Sequence, residues 1–258
     1  MGKNIAIHSY KGGTGKSFIA ANIALIYASQ GYKMCLLDFD FRAPSVQSLF
    51  EVKPGNRFVN DFLDGRCEVQ DILIDISEKF NSKGKIFVGL ADRSIEGMTQ
   101  DAVKDRRWQM SALGRLTSAI KTLRSELGFN YVLIDTSPGF HYSSLNALLA
   151  SELTLLVTTL DKSDFEGTVE MIEGIYETLE RKTGIVLNKV PRTVLEDPER
   201  MRNILAENKT YYKFPIIETL PCDCDVVSMR GDLMLYLRQP NHPVTETLMK
   251  LTKKIDEL

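Results

Sequence analysis

Residues 11–17 read Lys-Gly-Gly-Thr-Gly-Lys-Ser, between the apolar run Ile5-Ala6-Ile7 and an amphipathic stretch that begins at Lys16. Consecutive glycines let the backbone curl so that several N–H groups face one anion. A helix that follows adds its positive N-terminal end. At this spacing Lys16 is placed to reach the β- and γ-phosphates of a nucleotide, and the Ser17 hydroxyl to ligate Mg2+. Gly12, Gly13, Thr14, Gly15, Lys16, Ser17 and Phe18 are therefore the expected phosphate cradle. The common form of such a loop has a glycine six residues before the lysine; this chain has Tyr10 there, and Lys11 directly after it. A glycine-rich turn alone is a weak signal, whereas strand, loop, Gly-Lys-Ser and helix together are a strong one.

Around this loop, short apolar runs alternate with helical patterns, the mark of βαβ units and a parallel sheet. Strands are expected over 4–9, 33–38, 85–90, 131–136, 153–159, 185–190 and 214–220. Runs such as Tyr131-Val132-Leu133-Ile134 suit strands covered on both faces. Helices are expected over 16–29, 109–127, 142–150, 165–182, 197–208 and 243–257, with Gly31 as a left-handed cap for the first. Residues 41–84 are the least regular and read as short helices inserted between the second and third strands. With no linker or repeat, residues 1–258 read as one α/β domain: a mostly parallel twisted sheet of about seven strands with helices on both faces.

Open parallel sheets bind ligands at the C-terminal ends of their strands. One such end reads Leu37-Asp38-Phe39-Asp40, with two carboxylates two residues apart and so on one side of the extended chain. Another reads Asp135-Thr136-Ser137-Pro138-Gly139, an acid after Val-Leu-Ile followed by a turn. A solvated turn or a capping Asp would explain either block without chemistry.

The lysine in front of the glycine pair carries a family resemblance. Lys-Gly-Gly-x-Gly-Lys-Ser near the N-terminus resembles the deviant Walker A motif of the MinD/ParA class of P-loop ATPases. The resemblance implies that Lys11 reaches across a dimer interface to the nucleotide of the other subunit. It implies that Asp40 orients or deprotonates the attacking water, that Asp38 lies near the metal, and that Asp135 holds the Mg2+ shell through water. Val186-Leu187-Asn188-Lys189-Val190-Pro191 resembles the base-recognition strand of the superfamily. GTPases place a carboxylate where this chain has Pro191, so guanine lacks its partner, while the Asn188 amide can pair with adenine N6 and N7. Leu220-Pro221-Cys222-Asp223 resembles the loop that packs a proline and backbone groups against the purine, which brings Pro221 and Asp223 to the base. ATP and Mg2+ are the expected ligands.

Composition narrows the setting. A net charge of −2 supplies no global field toward DNA or an anionic membrane, so a nucleic-acid contact would have to be a local patch. Four cysteines in 258 residues fit a reducing compartment better than a disulfide scaffold. No apolar run reaches the ~18 residues needed to span a bilayer, and the expected location is the cytoplasm. Cys222 and Cys224 offer two thiolates, short of the four that structural zinc takes. His8, His141 and His242 read as structural, and Lys104-Asp105-Arg106-Arg107 as a solvated loop. The last helix carries Val244, Leu248, Leu251 and Ile255 on one face, and is expected to pack in the core rather than on a membrane. The resulting expectation is an ATP-bridged homodimer serving an unknown activator or cargo, in DNA partitioning with possible non-specific DNA contact. An assembly or metal-insertion chaperone and a membrane-cycling division regulator stand as alternatives.

Overall fold

In a computed structural model, which describes residues 2–100, 104–228 and 235–258, eight strands form a single sheet in the order β3-β4-β2-β5-β1-β6-β7-β8. They span Asn4–His8 (β1), Lys33–Phe39 (β2), Leu73–Asp75 (β3), Lys85–Gly89 (β4), Tyr131–Thr136 (β5), Leu153–Thr158 (β6), Lys182–Val190 (β7) and Ile216–Pro221 (β8). All neighbours pair in parallel except β3 with β4. β3 is the strand that the seven-strand expectation lacks. Three residues, Leu-Ile-Asp, are too few to carry a strand period, and β3 is held by pairing to β4 rather than by its own pattern.

β1, β5 and β6 are buried along their whole lengths, because helices cover both faces. One face packs helices Lys16–Ser29 and Pro243–Glu257; the other packs Arg106–Lys121 and Tyr142–Ala150. Boundaries shift by a few residues where caps act. Asp105 accepts from Trp108 N at 2.8 Å and starts its helix three residues earlier than the apolar period suggests. The helix expected over 165–182 begins at Lys162 behind the Asp161 cap and stops at Glu180, whose φ is +48°, because β7 starts at Lys182. The basic run 104–107 is not wholly solvated: Lys104 and the Trp108 indole both bond Asp64.

The C-terminal helix lies in the core as its apolar face demands. Val244, Leu248, Leu251 and Ile255 are all buried. The Tyr27 hydroxyl donates to Thr252 O (3.1 Å) and, with the Tyr131 hydroxyl, to the Asp256 carboxylate (2.9 and 2.7 Å), which ties this helix to the first helix and to β5. Among the described residues no helix is long and apolar enough to cross a membrane.

Candidate nucleotide site

β1 ends at His8 between β5 and β6, where the strand order runs outward in both directions, the topological position at which open α/β sheets form their crevice. Gly13 (φ +77°) and Gly15 (φ +99°) occupy left-handed conformations that turn the loop into the helix starting at Lys16. A side chain at Gly15 would also strike Asn188 Nδ2, 2.2 Å from its Cβ position. Tyr10, in place of the customary glycine, lays its ring over Gly167, where a Cβ would lie 2.0 Å from it.

A cavity of about 670 Å³ opens above the loop. Of the expected residues it is lined by Gly12, Gly13, Gly15, Lys16, Ser17, Phe18, Asp40, Asn188, Pro221 and Asp223. Lys11 and Thr14 instead line a second cavity of about 460 Å³ on the other flank of the loop. Asp38 and Asp135 line neither; they lie side by side in register on β2 and β5, both fully buried.

These two acids differ. Asp38 Oδ1 accepts from Asp40 N (3.0 Å) and Oδ2 from Ser45 N and Val46 N (3.1 Å each), so its carboxylate pins the loop after β2. Its register with Asp135 keeps it beside the second buried acid of the site. Asp135 has no hydrogen-bond partner for either oxygen among the described residues. Burial pushes its carboxyl up to about 7, while Ser17 and Lys16 beside it pull the other way. An orphaned, buried carboxylate next to a hydroxyl is an oxygen donor set that suits a hard cation such as Mg2+.

Lys16 is buried and donates to Ser9 Oγ at 3.1 Å. Burial lowers its pKa, and the charges of Asp135, Asp40 and Asp164 counter that effect. Asp40 Oδ1 accepts from Ala43 N (3.1 Å) and from the Ser137 hydroxyl (3.0 Å), which joins the loop after β2 to the loop after β5. Arg42 adds a second link by donating to His141 Nε2 at 3.0 Å. Gly139 N donates to Ser9 O at 2.9 Å and ties the β5 loop to the phosphate loop. The Thr136 hydroxyl donates to Ile7 O and accepts from His8 Nδ1. Burial, with the charges of Lys16 and His141, drops the His8 pKa to about 3 and keeps the ring neutral.

The Asn188 side of the cavity is braced rather than open. Asn188 Nδ2 donates to Thr14 O (2.7 Å) and Oδ1 accepts from Lys189 N (2.9 Å). Lys189, held at φ +56°, donates to Gly13 O at 2.6 Å. One N–H and one lone pair of Asn188 remain unused in these contacts. The Asp223 carboxylate pairs with Arg192 and accepts from Asp225 N (2.9 Å), with His242 Nε2 at 3.7 Å. Asp223 thus fastens the loop after β8 to the segment after β7 and to the start of the C-terminal helix. The metal-type donors gathered here are Asp223, Asp225 and His242, not the two cysteines. Because His242 Nδ1 accepts from Val244 N, its proton sits on Nε2, as in a helix cap rather than a ligand.

Sequence reasoning missed Asp161, Ser163 and Asp164. Lys11 Nζ donates to Asp161 Oδ1 (2.9 Å) and to the Ser163 hydroxyl. The contact raises the Lys11 pKa and brings the Asp161 carboxyl down to about 2. Asp164, buried on the flank of the loop, accepts from Thr159 N at 2.8 Å. The signal was present: Asp161-x-x-Asp164 directly follows the end of β6, at the same sheet edge as the phosphate loop.

Comparison with known proteins places this geometry. The profile of the AAA domain family matches residues 2–187. The septum site-determining protein MinD of Bacillus subtilis is 28% identical over 211 residues, 81% of this chain and 68% of its own length. MinD from Pyrococcus horikoshii, complexed with Mg-ADP, superposes with a TM-score of 0.76 at 20% identity, covering 100% of this chain and 97% of that one. A plasmid partition protein from Borrelia burgdorferi gives 0.70 at 17%, covering 100% and 99%. The match over residues 2–187, together with the deviant loop and its surroundings, means that this chain belongs to the AAA domain family, as a MinD/ParA-like P-loop ATPase.

Proposed function

We propose that the chain binds ATP with Mg2+, dimerises around it, hydrolyses it slowly, and uses the cycle to position or partition a cargo inside the cell. The observation that carries this reading is the place of Lys11. It stands in front of the glycine pair, is half-exposed, and lines the flank of the loop rather than its own nucleotide cavity. A cation so placed can leave its exposed pair with Asp161 for the nucleotide of a second copy. Phe140 and Tyr142, exposed by 48% and 39%, follow the β5 loop and offer apolar surface beside it.

In this reading the backbone amides of Gly12–Gly15 and the Lys16 ammonium hold the phosphates. Ser17 and Asp135 hold Mg2+, which when bound neutralises phosphate charge. Asp40, fixed by Ala43 N and Ser137, orients the attacking water and accepts its proton. Loss of the γ-phosphate frees the two loops that Asp40 and Arg42 link, and the dimer parts. Asn188 and Pro221 contact adenine, and Asp38 acts as the anchor of the Asp40 loop. Septum-site and plasmid-partition relatives support a positioning role, in the cytoplasm, with an activator or cargo protein and non-specific DNA as candidate partners.

The test is phosphate release as a function of protein concentration. Turnover per subunit should rise with concentration for the native chain and stay flat and low for Lys11→Ala. Concentration-independent turnover in both would refute a dimer-dependent cycle.

A further inference from the structure

The segment that leaves β2 reads Asp40-Phe41-Arg42-Ala43-Pro44. Phe39 and Phe41 turn into one core cluster, their ring centroids 5.5 Å apart, while Asp40 and Arg42 both line the nucleotide cavity. Ala43 N donates to Asp40 Oδ1, so Arg42 stands at the tip of a tight turn closed on the Asp40 carboxylate. The Ser137 hydroxyl holds that carboxylate in turn. The root of the arginine is therefore fixed, and its long side chain is exposed.

Its guanidinium has one partner, and that partner carries no negative charge. Arg42 NH1 donates to His141 Nε2 at 3.0 Å, which leaves the imidazole proton on Nδ1. Among the described residues no carboxylate pairs with Arg42. Other charged groups of the cavity wall are engaged: Asp223 with Arg192, and Lys189 with Gly13 O. Arg42 thus brings an uncompensated charge, and most of a planar N–H fork suited to phosphate, to a cavity built for an anion. Its place in the turn decides which phosphate it meets. Asp40, two residues away, is the group assigned to the water that attacks the γ-phosphate, whereas the glycine amides serve the phosphates nearer the base.

We propose, on the basis of the ATP cycle given above, that Arg42 is the γ-phosphate sensor of this chain. Its Nε and NH2 groups take the terminal phosphate while NH1 keeps His141. His141 is the N-cap residue of the helix Tyr142–Ala150 and lies between the exposed Phe140 and Tyr142. A terminal phosphate on Arg42 therefore braces the start of that helix and the apolar surface beside it. ADP, with no terminal phosphate, leaves the Arg42–His141 pair unanchored. Arg42 is the binding residue in this device, and His141 the positioning residue that passes its state on.

Titration of the full chain with Mg·ADP and with Mg·β,γ-imido-ATP, each at two protein concentrations, measures the phosphate contact without turnover. Arg42→Ala should weaken imido-ATP about tenfold or more, the size of a lost charge-assisted contact, and leave ADP within about twofold. Hydrogen exchange measures the brace. In the native chain, amides of residues 142–146 should exchange more slowly with imido-ATP than with ADP. His141→Gln, whose amide oxygen still accepts from Arg42, should keep that difference; His141→Leu should lose it while still binding both nucleotides. A native chain that binds neither nucleotide would overturn the ATP cycle and the sensor together. A native chain that binds both, with Arg42→Ala weakening the two equally or not at all, would overturn the sensor alone. So would a loss that grows with protein concentration, which would place Arg42 at a contact between copies. Slowed exchange that survives His141→Leu would overturn the role of His141.

Discussion

Replacing Asp135 by asparagine keeps the side-chain shape and removes the buried charge. In the folded, nucleotide-free protein the carboxyl is raised from 3.8 to about 7, mainly by burial. The sign follows from that direction. The unfolded chain loses its proton near 3.8 and the folded one near 7, so the penalty is absent below the first value. It grows as pH rises between the two and is complete above the second. At about 1.4 kcal/mol per pH decade the full penalty is at most ~4 kcal/mol. Asparagine leaves a polar group unsatisfied at about 1–3 kcal/mol, so Asp135→Asn should gain about 1–3 kcal/mol at pH 8. For a domain of this size that is several degrees in Tm, at roughly 2–4 °C per kcal/mol. At pH 5.5 the advantage should shrink, because the native carboxyl is then largely protonated. Thermal unfolding at both pH values, without and with Mg·ADP, reads the effect. The variant should be the more stable one at pH 8 without ligand and should lose the Mg2+-dependent part of the ligand-induced rise. Equal Tm at both pH values, with that rise intact, would refute the reading of Asp135 as a charge stored for a cation.

Asp40→Ala should slow phosphate release by about 10²-fold or more while titrations show nucleotide affinity nearly unchanged; unaltered turnover would leave Asp40 as a turn residue. Competition between ATP and GTP should favour ATP by roughly ten- to a hundredfold, because Pro191 offers guanine no carboxylate and a missing buried partner costs about 1–3 kcal/mol; equal affinities would contradict the role given to Asn188. Leu248→Ala removes a fully buried side chain and should cost about 2–5 kcal/mol in denaturant melts. The native chain should not float with anionic liposomes in ATP; flotation lost in a truncation that melts like the native chain would place this helix on membranes.

What the sequence disclosed depended on how local the cause was. The helix from Lys16 to Ser29 was legible to the residue, since glycines and Lys-Ser mark its start and Gly31 follows its end. Asp135 and Asp40 were legible as acids at the ends of apolar strands. The engagement of Asp38 was not, because its partners are backbone N–H groups of Ser45 and Val46, which leave no mark in residue type. The bracing of the loop by Asn188 and Lys189 joins residues more than 170 positions apart, and the Lys11–Asp161 pair spans 150. Motif spacing holds nothing that would pair them. β3 was invisible for a different reason, since an edge strand of three residues owes its form to its neighbour.

Sedimentation velocity with Mg·ATP tests the central claim most directly. Asp40→Ala, slow to hydrolyse, should sediment as a dimer with Mg·ATP and as a monomer with Mg·ADP. Adding Lys11→Ala to it should return the protein to monomer while fluorescent ATP still binds. A double variant that dimerises with ATP as fully as Asp40→Ala alone would contradict a lysine acting across the interface.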